Sequence, residues 1–255
     1  MPQPARKRSP TRRAAPRASA APPPARVPRG ELIAAAHDRL RDLIVRGRLA
    51  PGAPIIETEV AALLGVRRSH LRAALLRLQQ AGFVLSSTIG TYSRSRVAPL
   101  TLDDVRELFA VIGALEGVAA RNAASLPLRE RGQLVAALRR INRELRPSAR
   151  VTPSDYHELD SQFHALYVTR AGGPRVRTLY DAIKPQADRY ALMYTHVLYD
   201  QIGTSAAEHD VIIDAIDGGD ADAAHRAADA NWRNAAERFR GFMDVAGERG
   251  NAVPA

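Results

Sequence analysis

Apolar residues recur at helical spacing over residues 31–46, with Leu32, Ile33, Ala36, Leu40, Leu43 and Ile44 on one side. Gly47 closes that stretch, and Pro51-Gly52 marks a turn. A second helix is predicted over 57–64, with Val60, Ala61 and Leu64 facing inward and Gly65 as its left-handed cap. A third, over 69–80, carries Leu71, Ala74, Leu75 and Leu78 as its buried stripe. The pattern then changes. After Gly82, residues 83–85 and 92–97 read as two short strands joined through Gly90. From residue 102 the chain is nearly all helix, with predicted segments at 102–124, 128–145, 153–170, 174–199, 205–217 and 220–243. Pro127, Pro147, Gly172-Gly173-Pro174, Gly203 and Gly218-Gly219 punctuate them. Asp220 is placed to cap the last helix, and Pro185 predicts a kink or break in the fourth.

Two short helices joined through a glycine and followed by a small hairpin are the parts of a winged helix-turn-helix. The expected fold is therefore an N-terminal winged helix-turn-helix (α+β) joined to an all-α helical bundle. The expected divisions are a basic Pro/Ala-rich disordered arm (1–30), the winged head (31–97), a hinge (98–101), the helical domain (102–243) and a flexible tail (244–255). The arm holds eight prolines, eight Lys/Arg and no acid. Such a segment buries too little apolar surface to offset its ordering entropy; it either adds phosphate contacts or is an inert extension.

Charge sharpens this division. The net charge is +10, and residues 31–96 hold ten basic against five acidic side chains, whereas 97–255 hold nineteen against twenty-two. The front third is thus the part suited to a polyanion. With no cysteine, disulfides, thiolate metal sites and cysteine nucleophiles are excluded. No run of 18–20 apolar residues is present and the basic start lacks the apolar core of a secretory signal, so the expected location is the cytoplasm.

Arg67, Arg68 and Arg72 fall at the entrance and exposed face of the third helix, the part of such a head that enters the major groove. The run RLAPGAPIIETEVAALLGVRRSHLRAALLRLQQAGFV, with Gly90 in the wing that follows, resembles the GntR family of bacterial regulators. Leu49, Pro51, Gly52, Ala61, Leu64, Gly65, Val66, Arg68, Arg72, Ala74, Leu75, Gly82 and Val84 carry the resemblance. It implies DNA contacts by Arg68, Arg72 and Gly90, and we add Arg67, Ser69 and His70 from the same surface. Arg67, His70 and Ala73 depart from the family's usual serine, proline and glutamate. The added cation and the lost acid predict a more positive recognition surface and a shifted operator preference, with Ser69 available as a nearby cap.

In the helical half, Asp160 and His164 are four residues apart on one helix face, and His209 opens another helix. One Asp and two His offer an oxygen/nitrogen site for Zn, Ni, Mn or Fe. Residues 102–243 resemble the FCD effector domain of the FadR-like branch of the same family. That resemblance implies a divalent-metal site with Asp160, His164 and His209 as ligands and Asn231 where a fourth, late histidine usually stands. Ile112 replaces an arginine that family members place before the glutamate at Glu116, which argues for a less charged effector than the usual organic acid unless Arg189, His196 or Arg177 compensates. His157 and His225 read as exposed helix residues and Trp232 as core.

The resemblance implies a ligand-responsive regulator, a homodimer that represses from a palindromic double-stranded DNA operator and answers to a small-molecule effector. Two other classes are compatible with the residues alone. One is a ligand-independent architectural DNA binder; the other is a metal-dependent hydrolase built on Asp160, His164 and His209, although no phosphate loop, nucleophile elbow or zincin motif accompanies them.

Overall fold

A computed structural model describes residues 28–89, 92–146, 152–194 and 201–250. Residues 1–27 and 251–255, the wing tip at Gly90 and the segment holding His196 lie outside the described residues.

The head begins with α1 (Arg29–Val45), which buries Ala36, Leu40 and Ile44 along one face. A two-residue strand, β1 (Pro54–Ile55), then leads into α2 (Glu57–Leu64) and α3 (Arg68–Gln80). Gly65 closes α2 at φ +64°, with its N–H bonded to Ala62 O at 3.1 Å. A side chain there would pay the left-handed penalty although nothing crowds the position. Gly65→Ala should therefore destabilise the head by about 1–2 kcal/mol, read as a lowered melting temperature with unchanged helix content. The wing is β2 (Val84–Ile89) against β3 (Tyr92–Val97), antiparallel with Val84 opposite Val97 and Ile89 opposite Tyr92. The sheet order is β1-β3-β2. β1, absent from the sequence-based expectation, pairs Pro54 with Arg96 and Ile55 with Ser95, and so buries Ile55 in the head. Leu40, Ile44, Val60, Leu64, Leu71, Leu75, Leu78, Phe83 and Val84 close one core beneath the recognition helix.

The second body is built from α4 (Leu102–Ala124), α5 (Leu128–Leu145), α6 (Pro153–Ala171), α7 (Gly173–Met193), α8 (Ile202–Gly218) and α9 (Ala221–Ala246). Short polar side chains cap the starts of α4, α6 and α9. Thr101 accepts from the Asp104 N–H at 3.2 Å, Thr152 and Asp155 form a capping box, and Asp220 accepts from the Ala223 N–H at 2.9 Å. α4 lies along α9, and its Gly113 and Gly117 make the approach close: a methyl at Gly117 would sit 2.9 Å from the His225 ring. Phe109 packs edge-on against Trp232 and Phe239, with centroids at 5.0 and 5.2 Å. Among the described residues, no helix is long and apolar enough to cross a membrane.

Three expectations change. α7 continues through Pro185, where a proline forfeits one backbone hydrogen bond, and no break occurs. It ends at Met193 rather than near 199. The segment expected to be a flexible tail from residue 244 instead extends α9 to Ala246 and then pairs Arg249 with Leu100.

Head and body touch through α7. Gln186 donates to Ala81 O at 2.6 Å, and Arg189 donates to Ala98 O in the hinge. The Tyr190 hydroxyl accepts from the Thr101 N–H at 3.1 Å.

Candidate functional site

On the head, the first turn of α3 presents Arg67, Arg68 and Ser69 to solvent. Arg67 occupies the N-cap position, and no side chain, Ser69 included, caps the helix there. The start of α3 thus offers a phosphate the positive end of the helix dipole, while the His70 N–H is already bonded to Arg67 O at 2.9 Å. One turn on, Arg72 is exposed but held, donating from Nε to Glu57 Oε2 at 2.7 Å. Glu57 on α2 thereby supplies an acid of the kind that Ala73 removes. His70 does not share this surface: it is only 9% exposed, leaving its ring little area to offer a groove. Arg94 on β3 of the wing is also exposed.

In the helical body, Asp160 and His164 on α6 meet His209 on α8, with one potential ligand atom from each lying within 4.8 Å of the others. Asp160 Oδ1 stands 3.6 Å from His209 Nε2, and Asp160 Oδ2 stands 4.0 Å from His164 Nε2. Each imidazole is oriented from behind. His164 Nδ1 lies 2.6 Å from Glu116 Oε2, and the Tyr167 hydroxyl donates to the same carboxylate. His209 Nδ1 lies 3.2 Å from Asn142 Oδ1. The Asn142 amide nitrogen donates to Ala206 O at 2.9 Å and Asp210 Oδ1 at 2.8 Å. The Asn142 oxygen therefore has to face His209, which fixes the proton on Nδ1 and leaves the lone pair on Nε2. That Nε2 is buried and has no hydrogen-bond partner. A buried imidazole nitrogen with no partner, aimed at a carboxylate and a second imidazole, is what a bound cation would satisfy. The mixed carboxylate and imidazole donor set fits a divalent transition-metal ion, Zn, Ni, Mn or Fe.

The electrostatics divide the two histidines. Burial, with the nearby charges of His164 and Arg238, holds His209 well below the usual imidazole range, so it is neutral. Burial also opposes protonation of His164, but the Glu116 charge and hydrogen bond outweigh it and raise its pKa. Glu116, despite complete burial, is held below the usual carboxylate range by the same partner.

A cavity opens beside this triad. Asp160 and His164 form one wall, Lys184 and Asp188 of α7 another, and Asn231, Trp232 and Arg238 of α9 a third. Lys184 Nζ pairs with Asp188 and lies 5.8 Å from the Trp232 ring centre. Burial would lower its pKa, yet Asp188 outweighs burial and raises it, so the cation persists. Arg238 is bound in two-pronged fashion by Glu208, at 2.8 and 3.0 Å. Asn231, also on the cavity wall, donates its amide to Glu208 at 2.9 Å.

Several residues of this region stand elsewhere than their sequence positions imply. Arg189, expected to bind ligand, is absent from the cavity wall; one residue past Asp188 the helix has rotated by about 100°, and its guanidinium reaches the hinge instead. His157 is not a solvent-facing residue: it lines the cavity 3.8 Å from Asp188, where burial lowers its pKa. His225 packs against Gly117 with a buried Nδ1. Trp232 is core, as expected, and cavity wall as well. Ile112 is fully buried in the apolar core and offers no clamp. Glu116 and Lys184 are functional residues of this centre whose roles local sequence pattern does not mark.

A basic winged head carried on a helical body with a histidine-lined cavity defines a class, the DNA-binding transcriptional regulators that combine reader and sensor in one chain. Residues 32–90 match the model for bacterial regulatory proteins of the gntR family, and residues 107–234 match that for the FCD domain. An HTH-type transcriptional regulator in an unstable DNA locus of Streptomyces ambofaciens is 30% identical over 197 residues, 76% of this chain and 79% of that protein. The HTH-type transcriptional repressor RspR of Escherichia coli K12 is 27% identical over 202 residues, 79% and 86% of the two chains. Escherichia coli McbR/YncC shares the fold at TM-score 0.60 and 16% identity, covering 83% of this chain and 98% of that one. A GntR transcriptional regulator structure from Rhodococcus sp. RHA1 does so at TM-score 0.60 and 22% identity, with the same coverage. This protein belongs to the GntR family and carries an FCD domain. It is a DNA-binding regulator and not an enzyme.

Proposed function

We propose that the protein is a homodimeric, ligand-responsive repressor that binds a twofold-related operator in the cytoplasm. The observation that carries this reading is the cavity beside Asp160, His164 and His209, in a body whose α7 also grips the head and hinge through Gln186 and Arg189. A ligand that moves α7 or α9 would thereby change the carriage of the head.

Arg67, Arg68, Ser69 and Arg72 at α3, with Gly90 at the wing, are the proposed DNA contacts. Dimerisation is supported by apolar side chains left in solvent on adjoining helices: Val111 and Val118 on α4 and Leu179 on α7, at 43%, 39% and 57% exposure. A second copy would cover them, and two such heads would read a palindrome.

Asp160, His164 and His209 would hold the metal, with the Asn231 oxygen as a weaker fourth ligand. When bound, the metal supplies a Lewis-acid anchor for an oxygen of the effector. The chain's own part is to hold the imidazoles through Glu116 and Asn142 and to place Lys184 and Arg238 across the cavity. Because both cations are already paired with carboxylates, the effector is a small organic acid of low charge or a less charged polar molecule.

The test is selection of genomic fragments by the purified protein. A twofold-related site should be enriched, and Arg68→Ala should weaken binding to it about tenfold or more, the loss of one base or phosphate anchor. No enriched site, or equal binding by the variant, would sink this reading.

A further inference from the structure

The last four described residues run back across the join between the two bodies. Gly247 turns the chain out of α9 at φ +77°, and the Tyr194 hydroxyl donates to its carbonyl at 3.3 Å. Glu248 accepts from the Leu102 N–H at 2.9 Å. Arg249 and Leu100 exchange two backbone hydrogen bonds, at 2.9 and 3.1 Å, so the hinge is one half of a small antiparallel bridge. Gly250 then rests on the Pro51-Gly52 turn of the head, backbone against backbone. A methyl on Gly52 would lie 2.5 Å from the Gly250 carbonyl oxygen, and one on Gly250 would overlap Pro51 and lie 2.5 Å from the Gly52 nitrogen. Both glycines have positive φ, +75° and +76°, so both conformation and space exclude a side chain.

This turn is itself tied to the wing, since the Gly52 N–H donates to Val97 O at 3.1 Å. The path from cavity to wing is therefore short. α9 carries Asn231, Trp232 and Arg238 on the cavity wall, and four residues past its end the chain touches the head. The α7 contacts through Gln186 and Arg189 already join head to body at one side; residues 247–250 add two further attachments, at the hinge and at the Pro51-Gly52 turn.

We propose that residues 247–250 are a strap by which the last helix of the effector domain fixes the orientation of the winged head, so that movement of α9 at the cavity reaches DNA through the strap. The link to the cavity rests on the ligand-responsive reading above; the fixing of the head does not. A chain ending at Gly247 and a Gly250→Val variant both remove the strap's seat on the turn, the first by deletion and the second by overlap.

Because the chain has no cysteine, Leu63→Cys on α2 and Leu128→Cys on α5, at 62% and 77% exposure, give two clean labelling sites on head and body. Spin labels there, in doubly labelled protein diluted with unlabelled chains, report the distribution of head-to-body distances. Truncation and Gly250→Val should each broaden it about twofold or more, and should lower affinity for the selected site about tenfold, while melting of the helical body is unchanged. An unchanged distribution overturns the proposal. A broadened distribution with unchanged affinity overturns its role at DNA. Should genomic selection yield no site, the repressor reading fails, and the distances alone still decide whether the strap holds the head.

Discussion

Replacing His209 with alanine should lower divalent-metal affinity about a hundredfold or more. Loss of a residue that merely orients a ligand already costs about 10–100-fold, and His209 is proposed as a ligand itself. Three observations make it the most exposing of the candidate changes. Its Nε2 is buried without a partner, its tautomer is set by Asn142, and burial keeps it neutral, so it needs to lose no proton before ligating. Its ring stacks on Phe163 at 3.8 Å and 9°, and this packing is lost too, so His209→Gln serves as the companion that keeps more volume. Competition between metal-stripped protein and a chelating dye, with zinc and manganese in turn, measures the change. Equal affinity in wild type and both variants would remove His209 from the ligand set and leave its unpartnered nitrogen without an explanation.

Glu116→Ala should be the most destabilising single change at this centre, by about 3–5 kcal/mol, the cost of stripping one member from a buried ion pair. Both partners are almost wholly inside, with the Glu116 side chain 0% and His164 3% exposed. The alanine would also leave the Tyr167 hydroxyl without its acceptor. Denaturant unfolding of the metal-free protein measures the loss, and a change below about 1 kcal/mol would mean that the pair is not ionised as described. The pH dependence follows from the shifts. Glu116 is held below its ordinary 4.5, so its stabilisation is complete above that value and fades as pH falls through the depressed one. His164 is raised above its ordinary 6.5, so its share is complete below that value and fades as pH climbs through the raised one. The alanine variant should lack both limbs.

Much of this molecule was legible in the order of its residues, for identifiable reasons. α2 and α3 could be placed because Gly65 interrupts two apolar stripes, and Asp160 with His164 because four residues make one helical turn. β1 could not, since two residues make no pattern and one of them is proline; its existence depends on a partner strand some forty residues away. The orienting groups were hidden for a similar reason. Glu116 lies 48 residues from His164, and Asn142 lies 67 from His209. One signal was present: Glu116 falls on the buried stripe of α4 formed by Val105, Leu108, Phe109 and Ile112, and a carboxylate on an apolar stripe calls for a buried partner. Lys184 carried a weaker one in the spacing to Asp188. The charge of Arg189 suits a ligand, but charge carries no direction. In α7 adjacent residues diverge, so Asp188 faces the cavity while Arg189 faces the hinge.

The pairing of Leu100 with Arg249 brings the two ends of the helical body side by side. Nearly 150 residues leave and return through one doorway, so the body is a cassette whose two splice points are neighbours. With its ends so close, this body could be set into a loop of another protein without stretching that loop.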